Sequence, residues 1–321
     1  MSMTFGTLPD GRTVDRITIS NGDLSVSILT YGAIVQDVRL KGHDYNLTLG
    51  SNDINDYLTS MKHYGPIIAP VGNRIKGARA TFGGIEHMLT PNEGRNILHS
   101  AEGGSQFKLW TVEDQTPDTV TLTVLCADGE AGFPGNQRVM AHFAILPDNV
   151  MRMEITATTD ELSMINICNH SYWNLTGDPT FAGHKLQIKA QNYLPTDAEN
   201  IPTEVTEVAG TDYDFRTLRD VVPANPPIDH NFCLSRIKLD LRDVVTLEGG
   251  DLRMTIATDM PGLQVYDGRT ASNAGFADYA ALAFEPQYWP NAPHEPSFPK
   301  ITVKAGEVWT QEVEWRFEHL A

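Results

Sequence analysis

Val139-Met140-Ala141-His142-Phe143-Ala144-Ile145-Leu146-Pro147-Asp148-Asn149-Val150-Met151-Arg152-Met153-Glu154-Ile155-Thr156-Ala157 decides the fold class of this chain. Apolar residues fall at every second position on both sides of a Pro-Asp-Asn turn: Val139, Ala141, Phe143 and Ile145 before it, Met151, Met153, Ile155 and Ala157 after it. Successive side chains of a strand point to opposite faces, so this spacing predicts two antiparallel strands with one face each in a core. The same alternation returns in Val120-Leu122-Val124, in Leu239-Leu241, in Leu252-Met254-Ile256 after Gly249-Gly250-Asp251, and in Val313-Trp315-Phe317. Near the N-terminus, Ile17 and Ile19, then Leu24, Val26 and Ile28, flank the tight-turn signal Asn21-Gly22-Asp23 and predict a hairpin. One short helix is expected over Asp53 to Lys62, and no shift in composition or Pro/Ser-rich linker divides the chain. The expectation is a single all-β domain over residues 1–321, built from large antiparallel sheets.

Bulk properties exclude more than they select. A formal charge of −17 and a pI near 4.9 repel phosphate backbones and anionic lipid surfaces. Nucleic acid and membrane are therefore poor partners, and a small neutral ligand is favoured. Cys126, Cys168 and Cys233 are odd in number and lack C-x-x-C spacing, which argues against a disulfide framework or a structural zinc site and fits a reducing compartment. The N-terminus lacks a basic stretch followed by an apolar one, and no run approaches the ~18 apolar residues of a membrane helix. A cytoplasmic location is expected.

Two motifs carry chemistry. Asn169-His170-Ser171-Tyr172-Trp173-Asn174-Leu175 supplies an imidazole, and Ala283-Phe284-Glu285-Pro286-Gln287-Tyr288-Trp289-Pro290 supplies a carboxylate, both among aromatic residues. An imidazole can donate a proton near neutrality, a carboxylate can accept one, and aromatic rings offer a face to the apolar C–H surface of a sugar. Proton shuttling on a carbohydrate is the chemistry this pairing suits. Tyr172, Trp173, Tyr288 and Trp289 are candidate stacking residues; large aromatics more often fill cores, and Trp173 is the weakest candidate. The Pro-rich stretches Pro223 to Pro227 and Pro286 to Pro299 read as ordered connections near a site.

Together with Val71-Gly72-Asn73-Arg74-Ile75, Leu98-His99, Ile228-Asp229-His230-Asn231-Phe232 and Gly262-Leu263-Gln264-Val265-Tyr266, these motifs resemble the aldose 1-epimerase (galactose mutarotase) family over nearly the whole chain. The resemblance implies a β-supersandwich with an open sugar-binding cleft on one sheet face. It also implies interconversion of α and β anomers through ring opening. Glu285 matches the family's general base and His170 its general acid; Asp229 matches an acceptor of sugar hydroxyls, and Asn73, Arg74, His99 and Gln264 match further substrate-binding positions. Acid and base are both side chains, so no cofactor and no metal are expected. The expected partner is a small neutral sugar, and the expected assembly a monomer or homodimer.

A carboxylate with an ordinary pKa of about 4.3 is already ionised at neutrality, and neighbouring carboxylates in an acidic cleft are expected to hold the His170 pKa at or above ~6.5. Pro70, Ser100-Ala101-Glu102 and His294 depart from the common family pattern at places that bear on sugar selection. Three other readings are compatible with parts of the pattern. A non-catalytic sugar-binding or sensor protein could share the scaffold. A glycoside hydrolase could use Asp229 and Glu285 as paired carboxylates, although that leaves His170 unexplained. A sugar-phosphate epimerase would need a basic cluster, where only Arg74 is clearly placed.

Overall fold

A computed structural model describes residues 2–320. The predicted N-terminal hairpin forms from Thr13–Asn21 and Leu24–Leu29, and Ser2–Thr7 and Ile34–Leu40 extend it to a four-stranded sheet. The fold-deciding stretch becomes Gln137–Leu146 paired antiparallel with Val150–Thr159, with Val139 opposite Ala157 and Phe143 opposite Met153. Both strands lie inside a nine-stranded sheet, where Val150–Thr159 also pairs with Trp309–His319 and that strand in turn with Leu252–Thr258. A six-stranded sheet follows the order Tyr172–Trp173, Leu282–Gln287, Gly262–Tyr266, Asp229–Cys233, Asn192–Leu194, Thr206–Glu207. All pairings within these sheets are antiparallel, as period-two patterning requires.

One core joins the three larger sheets. Val26 and Val38 enter it from the first, Phe143, Ile155 and Trp315 from the second, and Trp173, Phe284 and Val265 from the third. The Trp173 ring lies 6.0 Å from Trp315 and 5.7 Å from Phe317, so the six-stranded sheet packs its apolar face against the nine-stranded one.

Two local expectations differ from the structure. Leu239 and Leu241 precede a strand that begins only at Arg242; the Leu239 amide bonds Asp259 O instead of a ladder partner, and its side chain is exposed. The helix spans Ile54–Leu58, not Asp53 to Lys62. Asp53 caps it by accepting from the Asn55 amide, and Thr59 leaves helical geometry at φ −123° after a single apolar face, Ile54 and Tyr57, has been buried.

Candidate active site

The register of the six-stranded sheet sets its two faces. Glu285 is opposite Gln264, Gln264 is opposite Asn231, Tyr266 faces both Ala283 and Asp229 across its two neighbours, and Tyr172 is opposite Ala283. Directly paired residues share a face, so Tyr172, Glu285, Gln264, Tyr266 and Asp229 stand together. The intervening Phe284, Leu282, Val265, Leu263, Phe232 and Trp173 point the other way, into the core. One alternation therefore builds both the core and a polar floor.

Two short pairings bring the remaining groups over that floor. Cys168–Asn169 pairs with Ile67–Ile68, and His170 is held by its amide on Pro66 O at 3.0 Å and its carbonyl on the Gly65 amide at 2.9 Å. Arg74–Ile75 pairs with Ile97–Leu98, which sets Asn73 beside His99. Both residues take left-handed backbone, φ 57° and 52°, and exchange bonds: the His99 amide donates to Asn73 O and the Asn73 amide donates to His99 Nδ1, each at 3.0 Å. Because an amide donates to Nδ1, neutral His99 carries its proton on Nε2.

The resulting cavity measures about 430 Å³, within the usual range for small-molecule sites. It is lined by Asn73, Arg74, His99, His170, Asp229 and Glu285, so six of the seven expected site residues converge on it. Gln264 stands behind the lining and donates from Nε2 to Asp229 Oδ1 at 2.7 Å, which makes it a holder of Asp229. A larger hollow of about 620 Å³ near Phe107 and Arg138 is lined by no carboxylate and no imidazole.

At the floor of the cavity His170 Nε2 lies 3.3 Å from Glu285 Oε1, and Cys168 Sγ donates to Glu285 Oε2 at 3.4 Å. Both side chains are buried. Burial pushes the Glu285 carboxyl up to about 8, and burial, aided by His63, pushes the His170 imidazole down to about 3. This overturns the expectation of an ordinarily acidic Glu285 and a His170 raised by neighbouring carboxylates: loss of hydration outweighs the nearby charge. The neutral pair and the ion pair contain the same single shared proton, and burial of both side chains favours the neutral arrangement. Burial also raises Asp229, with Arg74 acting against it.

The two arginines of the cavity are already committed. Arg74 closes its fork on Glu93, with Nε to Oε2 at 2.6 Å and Nη2 to Oε1 at 2.8 Å, and Arg269 binds Asp267 at 2.8 Å. Clamped this way they are oriented hydrogen-bond donors with much of their charge balanced.

Sequence reasoning missed His63, Glu93, Tyr266 and Arg269, which also line the cavity. His63 belongs to no motif; its ring comes within 4.9 Å of His99 only through folding. Of the candidate stacking residues only Tyr172 lines the cavity; Trp173 and Trp289 are buried in apolar clusters, and Tyr288 packs against those clusters. Pro70, Ser100 to Glu102 and His294 are likewise outside the lining; Ser100 Oγ bonds both the amide and the carbonyl of Val71, and His294 Nε2 contacts Arg79 O.

Residues 15–316 match the family model described as aldose 1-epimerase. The chain is 31% identical to a galactose mutarotase of Mus musculus, covering 98% of this chain and 97% of the relative. It is 29% identical to an aldose 1-epimerase of Escherichia coli, covering 96% of each. Among solved structures, a galactose 1-epimerase from Lactobacillus acidophilus superimposes with a TM-score of 0.88 at 26% identity, over 100% of this chain and 99% of that one.

Proposed function

This chain belongs to the aldose 1-epimerase family, and from that premise we propose the part each cleft residue takes in its reaction. The protein is an aldose 1-epimerase, an isomerase that interconverts the α and β anomers of a sugar. In the proposed cycle Glu285 takes the proton of the C1 hydroxyl while His170 Nε2 protonates the ring oxygen. The C1–O pair becomes the aldehyde carbonyl and the bond from C1 to the ring oxygen breaks. After rotation about C1–C2, Glu285 returns its proton to the carbonyl oxygen and His170 recovers its own from the reclosing hydroxyl. Each group is acid in one direction and base in the other, so the site ends as it began.

The observation that carries this assignment is the 3.3 Å approach of His170 to Glu285 at the floor of the cleft. The neutral pair favoured by burial is the protonation state that the site reaches once the ring is open, so the buried setting of the pair lowers the cost of the open-chain stage. A sugar hydroxyl donating to Glu285 stabilises the carboxylate and so works against that preference, drawing the pair toward the ionised form in which the cycle starts. Asp229, held by Gln264, accepts sugar hydroxyls; His99 donates from Nε2; Arg74 and Asn73 orient the ring.

The substrate we propose is an unphosphorylated aldose, because both cavity arginines are engaged by carboxylates. The further proposals are a cytoplasmic location, supported by three unpaired buried cysteines, and a monomer or homodimer. No helix among the described residues is long and apolar enough to cross a membrane.

Polarimetry of freshly dissolved aldoses tests the function. The rotation should approach the same final value as the buffer blank, but faster. Sugar binding without acceleration would replace the enzyme reading by a sensor, and cleavage of a glycoside would replace it by a hydrolase.

A further inference from the structure

Far along the chain from the cleft motifs, His43, Asp251 and His319 bring one ligand atom each to within 4.8 Å of one another. They come from three segments: the turn after Ile34–Leu40, the turn between Arg242–Gly249 and Leu252–Thr258, and the last residue of Trp309–His319. The sheet fixes two of them beforehand. Leu252 pairs with His319, and the Leu320 amide donates to Asp251 O at 2.7 Å. His43 is set against them by stacking on His319, with ring centroids 5.3 Å apart and planes at 15°.

The proton arrangement of His43 is the decisive observation. Tyr45 Oη donates its one proton to Leu175 O at 3.0 Å while lying 2.9 Å from His43 Nδ1. With that proton committed, the neutral His43 ring donates from Nδ1 and leaves its Nε2 lone pair free. That Nε2 is buried without a hydrogen-bond partner and faces Asp251 Oδ1 at 3.9 Å, too far for a hydrogen bond. Two electron-rich atoms directed at one space call for a cation between them.

We propose that His43 Nε2, Asp251 and His319 bind a divalent zinc-type ion, with water completing the shell. Two imidazoles and a carboxylate suit Zn²⁺ or Co²⁺ far better than Mg²⁺ or Ca²⁺, which prefer all-oxygen shells. Ligands about 2.0–2.2 Å from a tetrahedral ion sit roughly 3.3 Å from one another, so on loading the trio draws together and the His319 ring turns out of its stack on His43 to aim its in-plane lone pair at the ion. Asp251 and His319 are exposed and free to make that adjustment. Tyr45 is the outer hydroxyl that fixes the tautomer of a metal-bound histidine. The ion would staple the C-terminal strand to a hairpin of the nine-stranded sheet and to the end of the four-stranded one.

The test uses tag-free full-length protein titrated with Co²⁺, read by its visible absorption, and melted with and without Zn²⁺. One strong Co²⁺ site and a saturable rise in Tm are expected. His43→Gln and His319→Gln should abolish both while leaving mutarotation intact, and Tyr45→Phe should weaken Co²⁺ by ~10–100-fold. His99, His170 and Glu285 also converge within 4.8 Å, so His170→Asn separates the two places. It should keep the strong site. The proposal falls if Co²⁺ binds no better than millimolar, if His319→Gln titrates like wild type, or if the strong site disappears in His170→Asn. Melting without metal shows whether each variant is folded, and His319, being exposed, keeps the test open if His43→Gln is not.

Discussion

His170 Nε2 and Glu285 Oε1, 3.3 Å apart, are shifted toward neutrality from opposite sides, the imidazole down to about 3 and the carboxyl up to about 8. Across the interval between those values the pair holds one proton, the number the proposed cycle needs, and the limits belong to the pair as a unit. The profile of kcat/KM should be a broad plateau through neutrality, falling near pH 8 as the shared proton leaves and, on the acid side, only well below 6.5 as a second one binds. In Glu285→Gln the alkaline limb of any residual activity should vanish. Its persistence would assign that titration to another group.

Removing either partner should remove transition-state proton transfer more than binding. Glu285→Gln and His170→Asn should each lower kcat by at least ~10²-fold with modest changes in KM. Near-normal turnover by either variant in a polarimetric assay would displace it from the proposed cycle.

Glu285 should also weaken the fold it sits in. Its folded pKa is raised from 4.5 to about 8, so the native state keeps a proton that the unfolded chain gives up, and stability falls as pH rises through that window. Glu285→Gln should therefore melt a few degrees higher than wild type near neutrality, with the advantage disappearing at a pH below 4.5. Equal melting temperatures at both pH values would contradict the raised carboxyl.

Buried histidines should make the protein sensitive to acid. Burial lowers His63 and His230 to about 4, and His99, His170 and His184 also fall below their ordinary value of 6.5. Depressed folded values give stability that is complete above 6.5 and is lost as pH falls toward 4, and these five outnumber the opposing raised carboxyls, Glu285, Asp229, Asp259 and Glu312. Urea midpoints should drop steadily over this range, and His63→Gln should flatten the decline. A constant midpoint would mean the imidazoles charge without penalty.

Glu93, in the cavity wall, holds the Arg74 guanidinium by two hydrogen bonds. Glu93→Ala should let that side chain wander, raising KM several-fold with little effect on kcat. A loss confined to kcat would give Glu93 a different role.

Much of this architecture can be read before folding, because burial writes a period of two into strands such as Gln137–Leu146 and Trp309–His319. Leu239 and Leu241 show where that reading fails: two alternating leucines cannot reveal that one amide bonds outside any ladder. The residues that converge on the cleft and are proposed as acid, base and hydroxyl-binding groups were legible through motif order. Ionisation was not. The shifts of His170 and Glu285 arise from dehydration by residues distant in sequence, which no local pattern encodes. His63 was hidden for the same reason, being a lone histidine whose neighbours His99 and His170 are supplied only by the fold.

The floor of the cleft is a row of directly opposed residues on neighbouring strands, Glu285 against Gln264 and Tyr266 against Asp229. This limits how such a gene can change in length. One codon inserted or lost within Leu282–Gln287 would send Glu285 inward and bring Phe284 to the surface of the cleft, removing the proposed base and disrupting the core in a single event. Length variation between relatives should therefore accumulate in the connections, while these few short strands keep their residue count.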